Sequence, residues 1–459
     1  MSSGVGFGRR FSVATSITAI TRLINLSTGV LISVVLARVL GPEGRGIYAL
    51  VMLLPSLIVI FSSLGIEAAT VYYVARKKFY IQEVLGNNVL LSISIGSIGV
   101  IIGLIIIVFF REQIFPRVDS VYLFISLLFI PLQIFSLYIK YILLGLQHIV
   151  KFNIIQIIQS IFFAGMIIFL LLVLKLSVIG AIIASLSTWL VVDVITFYLT
   201  YSTVNGINLK LNLLYISHVI KYGFQAYLSN ILGFLNYRLD VFLVSSFLDP
   251  KEVGFYTVGV GLAEQLWMFS QVASVILFPR VAAETENTRQ KNFTPLVART
   301  VLWVTTGGTL VLALFSQEII KILYSESFLP VVGALRALLA GVVMLSVSRI
   351  LASDIAGRGR PALNAYRGLV TVFTNVVLNL LWIPRYGIVG SAWASTVAYT
   401  VSFIGALFMY CYLSGNPWTV VLLPQPGDWT LYKKIIRELW RWGLNQGKYK
   451  FINIKVKKE

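Results

Sequence analysis

Twelve long apolar stretches constrain the fold of this 459-residue chain more than any other feature. A helix that crosses a bilayer needs about 20 mostly apolar residues, and runs of that kind fill most of the sequence. Charged residues make up only 12% of the chain, whereas soluble domains carry about 25%. The sequence therefore predicts an all-α polytopic membrane protein. It excludes a soluble enzyme, a nucleic-acid-binding domain and a disulfide-stapled secreted module.

The predicted spans fall into two sets of six. The first set covers 14–36, 47–66, 89–110, 121–143, 153–174 and 179–201, and the second covers 217–247, 253–278, 300–316, 331–348, 368–384 and 389–413. We expect two six-helix lobes, 1–202 and 217–413, joined by a cytoplasmic loop at 203–216 and followed by a basic tail at 414–459. The first apolar run is too long for a cleavable signal and has no small-residue cleavage site after it, so we expect it to stay as the first span.

The distribution of Lys and Arg predicts the orientation. With the N-terminus inside, the inner segments hold 26 of the 37 basic residues, counting Lys140 and Lys221 at the inner ends of their spans. The positive-inside rule then places both termini in the cytoplasm of a multi-pass protein. The net charge of +19 reflects this bias and the basic tail rather than binding to nucleic acid.

Short motifs recur about 210 residues apart and indicate an internal repeat. Leu40-Gly41-Pro42 reappears as Leu248-Asp249-Pro250, Gly46-Ile47-Tyr48 as Gly254-Phe255-Tyr256, and Val178-Ile179-Gly180-Ala181 as Ile388-Val389-Gly390-Ser391. Because six helices per half is an even number, the halves have the same orientation. A parallel repeat of this kind has its axis along the membrane normal, and we expect the substrate path between the halves.

Arg22 is the strongest candidate site residue from the sequence, since it lies eight residues, or about 12 Å, into the first span. A charge at the bilayer centre costs about 2.5–3.5 kcal/mol on insertion scales. Polar or small residues share its helix face at spacings of three and four: Thr15, Thr18, Asn25 and Gly29. We interpret the stripe as lining a hydrated cavity that binds an anion through Arg22 and Asn25. The alternative is a buried ion pair that joins helices.

The seventh span carries a second polar stripe. Its members are Gln225, Ser229, Gly233, Asn236 and Asp240. Arg238 points about 160° away from Asp240, so either it pairs with a neighbouring helix or a kink rotates it towards the stripe. In the eighth span, Glu264 shares a face with Trp267. Asp240 and Glu264 are candidates for binding a coupling proton or Na⁺, and Glu264 has the alternative role of neutralising an arginine.

Other polar residues have weaker functional interpretations. Arg336 lies near the outer end of its span, where snorkelling is easy, and Asp193 is expected to be a structural partner. Residues 428–443 predict an amphipathic helix whose basic face binds anionic lipids, with Asp428 as its N-cap. The lone Cys411 and two His residues indicate no disulfide, no metal site and no cofactor.

The segment from Leu36 to Tyr48, with Arg38, Gly41-Pro42 and Arg45, resembles the first outer turn of Wzx-type polysaccharide flippases. Phe278-Pro279-Arg280 at the end of the eighth span also resembles that family, and the resemblance covers nearly the whole chain. It implies the V-shaped fold of the multidrug/oligosaccharidyl-lipid/polysaccharide (MOP) exporter superfamily. The implied substrate is a polyprenyl-diphosphate oligosaccharide, such as an O-antigen, capsule or exopolysaccharide repeat unit, which crosses from the inner to the outer leaflet of a prokaryotic plasma membrane.

The resemblance implies a cationic cavity, which Arg22 matches in depth and face and Arg238 matches in helix only, while Arg45 lies in the outer turn. The predicted substrate-binding residues are Arg22, Asn25, Arg45, Gln225, Asn236 and Arg238. Arginine suits a diphosphate because it binds oxyanions in bidentate fashion. The energy source is left open between a proton, Na⁺ and the membrane potential. We expect a monomer, and contact with polysaccharide assembly enzymes is left open.

Two other functions compete with the flippase. A drug and cation antiporter of the same superfamily needs acidic cavity residues, for which Asp240 and Glu264 qualify, whereas Arg22 repels cations. A membrane glycosyltransferase or polysaccharide polymerase usually has an extended outer loop for its chemistry, and the outer connections here are short. We therefore predict a transporter rather than an enzyme.

Overall fold

A computed structural model describes residues 3–115, 117–283 and 287–429, together with Lys433 and Arg437. This part is almost wholly helical and contains no strand, so the all-α prediction is confirmed. The helices are α1 (Ser3–Ser62), α2 (Ile66–Ala75), α3 (Ile81–Ile114), α4 (Ser120–Ser126), α5 (Phe129–Gly145), α6 (Ile149–Ile167), α7 (Val178–Val204), α8 (Leu213–Phe247), α9 (Pro250–Glu264), α10 (Met268–Ala283), α11 (Asn287–Leu314), α12 (Ser316–Tyr324), α13 (Val331–Gly357), α14 (Pro361–Ser414) and α15 (Trp418–Leu422). A π-helical turn covers Ile168–Val173, and 3₁₀ turns cover Gln265–Trp267 and Glu326–Phe328.

Helices α1 and α14 are each too long for one crossing. The apolar part of α1, Ile20–Ser62, has 43 residues and α14 has 54, so each exceeds twice the 30 Å hydrocarbon core at 1.5 Å per residue. Both break at a glycine with positive φ, Gly41 (66°) in α1 and Gly387 (57°) in α14. These breaks fall between predicted spans, as expected for two crossings on either side of a turn.

Eight helices of the described part are long and apolar enough to span a membrane. The protein is therefore a multi-pass membrane protein, while the count of twelve spans stays a prediction. Helix α3 shows how the packing works. Its exposed face carries Val108 and Phe109, which are 65% and 69% exposed, and its buried face carries the glycines Gly96, Gly99 and Gly103. Small residues let helices approach closely in lipid, and these glycines contact Pro131, Ile130 and Leu127.

The repeated motifs meet each other in the structure. Gly46 of α1 and Gly254 of α9, which correspond in the repeat, pack so closely that a Cβ on Gly46 would lie 1.6 Å from the Pro250 carbonyl oxygen. A Cβ on Gly254 would lie 1.9 Å from the carbonyl oxygen of Pro42. Only glycine permits this approach of two backbones. The first and second halves of the chain are thus joined through equivalent turns.

Only the middle of the predicted inter-lobe loop at 203–216 is a connection between helices, and its two ends belong to α7 and α8. Helix α7 ends at Val204 and α8 begins at Leu213. The connection is held on α3, since Asn87 donates to the Lys210 carbonyl (3.1 Å) and accepts from the Asn212 backbone N–H (2.9 Å). The assignment of 1–202 and 217–413 as separate lobes stays a prediction.

A buried ion pair attaches the start of the tail to α11. Arg299 donates to both carboxylate oxygens of Asp428 at 2.6 Å, and the two side chains are only 6% and 9% exposed. Asp428 also accepts from the Gln425 backbone N–H (3.0 Å). The sequence predicted Asp428 as the N-cap residue, and this prediction is wrong. Asp428 lies three residues after Gln425, at the position from which a carboxylate accepts from the backbone N–H of the capping residue. The tail from 430 onwards, apart from Lys433 and Arg437, lies outside the described residues.

Candidate functional site

The polar stripe of the first span faces α6. Asn153 Nδ2 donates to Thr18 Oγ1 (3.0 Å), and Ser160 Oγ donates to Asn25 Oδ1 (2.6 Å). Arg22 lies between these two interhelical hydrogen bonds and is half-buried. Within the described ranges, its guanidinium makes no ion pair and no hydrogen bond. The ion pair required by the structural interpretation of Arg22 is therefore not seen in that part of the chain.

Arg238 pairs with Glu264 of the neighbouring helix α9. Its Nη1 and Nη2 lie 3.1 Å and 3.4 Å from the two carboxylate oxygens, a bidentate arrangement. The arginine side chain is 42% exposed and the glutamate 20%. Glu264 thus neutralises an arginine, one of its two predicted roles, and the pair offers little net charge to a ligand.

Asp240 lies in a closed polar cluster. Its carboxylate accepts from Tyr256 Oη (2.6 Å) and from the Val241 backbone N–H (2.7 Å), with Ser395 Oγ at 3.5 Å. Four residues of α14 complete what we call the Asp240 cluster. They are Asn375, Asn379, Ser391 and Ser395, linked by hydrogen bonds of 2.6–3.2 Å. The carboxylate is 2% exposed, so it lies inside the second half of the protein rather than on an open surface.

The four α14 members of the Asp240 cluster were missed as site residues. The sequence carries a signal, since Asn375 and Asn379, like Ser391 and Ser395, are spaced four apart within apolar runs. Polar residues four apart share one helix face. Without the fold, nothing connects that face to Asp240. Several predicted residues have side chains outside the described part: Thr15, Gln225, Ser229, Asn236, Phe278, Pro279 and Arg280.

Arg38 and Arg45 occupy different places in the outer turn. Arg38 of α1 donates to the carbonyl of Leu323 (2.8 Å) and to that of Ile322, so it caps the last turn of α12 in the second half. The Arg45 guanidinium lies 5.8 Å from the ring centroid of Tyr48. Arg38 therefore joins the two halves, and Arg45 packs against its own helix.

The two halves touch at both ends. At the predicted outer end, Gly46 meets Gly254 and Arg117 pairs with Asp249. At the predicted inner end, the rings of Tyr72 and Tyr222 stack with centroids 4.3 Å apart. Near them, Tyr227 Oη donates to the carbonyl of Phe61 (2.5 Å) and a Cβ on Gly65 would lie 2.2 Å from the Gly223 carbonyl oxygen. An exchange of access between the two sides requires each set of contacts to open.

A family model described as "Polysaccharide biosynthesis protein" matches residues 35–333, well over half of the chain. The chain belongs to the polysaccharide biosynthesis protein family. Its family match includes the outer turn at Gly41–Gly46, the Arg238–Glu264 pair and Asp240.

Relatives of this polysaccharide biosynthesis protein occur in archaea. It is 24% identical over 187 residues to the "Probable low-salt glycan biosynthesis flippase Agl15" of Haloferax volcanii, a match that covers 40% of each chain. It is 23% identical over 389 residues to the uncharacterized membrane protein MJ1375 of Methanocaldococcus jannaschii, covering 81% of this chain and 91% of the relative. The matched region thus spans less than half of the Agl15 relative.

Solved structures show which fold this polysaccharide biosynthesis protein has. The lipid II flippase MurJ, in an inward closed conformation, matches with a TM-score of 0.71 and 15% identity over 86% of this chain and 87% of that one. An inward-facing MATE family multidrug resistance transporter of the MOP superfamily matches with a TM-score of 0.64 and 15% identity over 86% and 94%. The chain therefore shares the all-α fold of these two transporters, as predicted.

Proposed function

We propose that the protein is a flippase that moves a polyprenyl-diphosphate-linked oligosaccharide from the inner to the outer leaflet of a prokaryotic plasma membrane. The family match over residues 35–333 carries this proposal, and the likeness to a probable glycan biosynthesis flippase supports it. The protein acts as a transporter on a lipid-linked substrate and forms or breaks no covalent bond. The positive-inside distribution of Lys and Arg supports cytoplasmic termini.

Arg22 supplies positive charge for the substrate from the first half of the chain. A guanidinium in a membrane helix is costly, and a diphosphate is an anion that repays the cost through charge-assisted hydrogen bonds. The polar wall formed by Thr18, Asn25 and α6 provides hydrogen-bonding groups next to Arg22. Transport then proceeds by opening the inner and outer contacts between the halves in turn, while the lipid chain stays in the bilayer.

Asp240 is the group we propose for ion coupling. It is a buried carboxylate surrounded by oxygen atoms of Tyr256 and Ser395, with the Asn375 and Asn379 amides next to them. Oxygen ligands of this kind suit a proton or a hard cation such as Na⁺. Glu264 is less suited because Arg238 already occupies both of its oxygens.

Transport by proteoliposomes tests the proposal. A fluorescent polyprenyl-diphosphate oligosaccharide is placed in both leaflets, and a membrane-impermeant quencher reports how fast it exchanges. We expect wild type to exchange the lipid and Arg22→Gln to be at least tenfold slower, since one charge-assisted contact is lost. Arg385→Gln, on an exposed arginine, serves as the matched control. Exchange of a lipophilic cation in place of the glycolipid would contradict the flippase and favour an antiporter.

A further inference from the structure

A cavity of about 330 Å³ lies inside the second half, between α8, α13 and α14. Two arginines line it, Arg349 from α13 and Arg367 from α14, together with the hydroxyl residues Ser348, Thr371 and Ser402. Neither arginine was singled out from the sequence. Two guanidinium groups that share one cavity within a membrane protein call for a functional explanation, because such charges are costly in hydrocarbon.

Each guanidinium is held in place by its neighbours. The Cζ atom of Arg349 lies 4.3 Å from the ring centroid of Trp267 in the 3₁₀ turn after α9, and a cation over an indole face is stabilised. Arg367 Nη1 donates to Ser348 Oγ (2.5 Å), to the Ser402 carbonyl (3.3 Å) and to Ser402 Oγ. The ring contact therefore holds the guanidinium of Arg349, and the hydrogen bonds hold that of Arg367, before a ligand binds.

The two arginines lie at the same level. Arg349 is eight residues before the end of α13 at Gly357, about 12 Å of helical rise, and Arg367 is six residues after the start of α14 at Pro361, about 9 Å. With 27 residues, α13 is about 40 Å long and exceeds the 30 Å core by about 5 Å at each side. With α13 centred on the core, the backbone positions of Arg349 and Arg367 lie about 7 Å and about 4 Å inside the hydrocarbon.

Charges around the cavity favour an anion. The acidic residue five positions further along α13, Asp354, already binds Arg358 and accepts from Thr294 Oγ1 (2.5 Å). Glu264 is engaged by Arg238. Within the described part of the chain, these two carboxylates thus bind other cations, and the charged side chains that line the cavity are those of Arg349 and Arg367.

We propose that this cavity binds the diphosphate of the lipid-linked substrate, which makes Arg349 and Arg367 substrate-binding residues in the second half. The inference rests on the proposed flippase function. Two bidentate guanidinium groups match the several oxygens of a diphosphate better than a carboxylate or a neutral sugar. A volume of 330 Å³ is at the small end of ligand pockets, so it holds the head group and leaves the oligosaccharide outside.

Gly233 allows the cavity to be blocked without removing a charge. It lines the cavity on α8, and a Cβ built on it meets no atom within 4 Å. Gly233→Leu therefore fills empty space and leaves both arginines in place. Gly165→Leu is the matched control, because that glycine is exposed on α6 and also has nothing within 4 Å of its Cβ.

Binding of farnesyl diphosphate to the full-length protein in phosphatidylcholine nanodiscs tests the proposal. We expect Arg349→Gln, Arg367→Gln and Gly233→Leu each to weaken binding at least tenfold, whereas Gly165→Leu and the surface variant Arg360→Gln bind like wild type. Farnesol should not bind in the cavity. Inorganic pyrophosphate is then added as a competitor. If it displaces farnesyl diphosphate, the cavity recognises the head group alone. If it does not, and Gly233→Leu still weakens binding, the cavity recognises a lipid diphosphate.

Wild-type affinity in both Arg367→Gln and Gly233→Leu would overturn the inference. Glycolipid exchange in proteoliposomes distinguishes its failure from failure of the proposed function. If wild type and the Arg349→Gln, Arg367→Gln double variant exchange the glycolipid equally fast, the cavity is not a substrate site although the protein is a flippase. If wild type exchanges no glycolipid, the flippase proposal fails whatever the cavity binds.

Discussion

At the scale of single residues, burial separates charges that look alike in sequence. Asp240 and Glu264 were predicted together as coupling candidates, yet Asp240 is 2% exposed among hydroxyl and amide groups and Glu264 forms a bidentate ion pair. Helical geometry places Arg238 away from Asp240, and its partner proved to be Glu264. That partner could not be deduced, because pairing depends on how α8 and α9 cross.

Asp240→Asn should uncouple transport from its driving ion. Asparagine keeps the size of the side chain and an acceptor for Tyr256 Oη, while it removes the negative charge that attracts a proton or Na⁺. We expect glycolipid exchange in proteoliposomes to lose its response to imposed proton and Na⁺ gradients. Glu264→Gln is the control and should still respond. If Asp240→Asn keeps the full response to both gradients, a residue other than Asp240 couples transport to the ion.

The Arg299–Asp428 pair predicts how the tail responds to pH. Hydrogen bonds from Arg299 lower the pKa of the Asp428 carboxyl below its usual value, which is about 3.9. The pair therefore stabilises docking of the tail fully above that pH, and the stabilisation is lost as the pH falls through the lowered pKa of the folded state. At neutral pH the tail should stay attached to α11.

A dye on a cysteine at position 433, in a Cys411→Ser background, would report tail docking through its anisotropy. We expect constant anisotropy from pH 7 down to about 4 and a decrease below that range. Asp428→Asn should show low anisotropy at neutral pH, since removal of one partner of a buried pair costs about 3–5 kcal/mol. Equal anisotropy in the variant and wild type at neutral pH would show that other contacts hold the tail.

At the scale of helices, the composition of the chain predicted where helices lie better than it predicted which helices contact each other. Apolar runs located the spanning helices, and the helix breaks at Gly41 and Gly387 fall between predicted spans. Helices α2 and α12 were missed because they have only 10 and 9 residues and their apolar faces blend into neighbouring spans. The Asp240 cluster was missed because its α14 members are far in sequence from Asp240 on α8 and Tyr256 on α9.

Gly46→Ala should disrupt the contact between α1 and α9. The added Cβ would lie 1.6 Å from the Pro250 carbonyl oxygen, so the two backbones must move apart. Overpacking of a tight contact typically costs about 1–3 kcal/mol, and we expect a lower Tm in detergent for the variant. Gly29→Ala, whose Cβ meets nothing within 4 Å, should leave the Tm unchanged. An unchanged Tm in Gly46→Ala would mean that the helices separate without loss of stability.

At the scale of the whole molecule, contacts at both ends make alternating access directly testable. Arg117 and Asp249 pair at the predicted outer end, one from each half. With Arg117→Cys and Asp249→Cys in a Cys411→Ser background, oxidation should close that end covalently. We expect glycolipid exchange to stop on oxidation and to return on reduction. Each single-cysteine variant should be unaffected by oxidant, and continued exchange by the oxidised pair would contradict an outer gate at this position.

The contact of Gly46 with Gly254 has a consequence for how charge is distributed. Equivalent residues that meet at an axis are the signature of an isologous interface, like that of a two-fold dimer. In a true dimer, any charge placed in one subunit appears twice. Here the shift of 208 residues that relates Gly46 to Gly254 also relates Arg22 to Asn230, Asp240 to Ile32 and Glu264 to Ser56. A single chain can thus keep the packing of a homodimer while Arg22 occurs only in the first half and Asp240 and Glu264 occur only in the second.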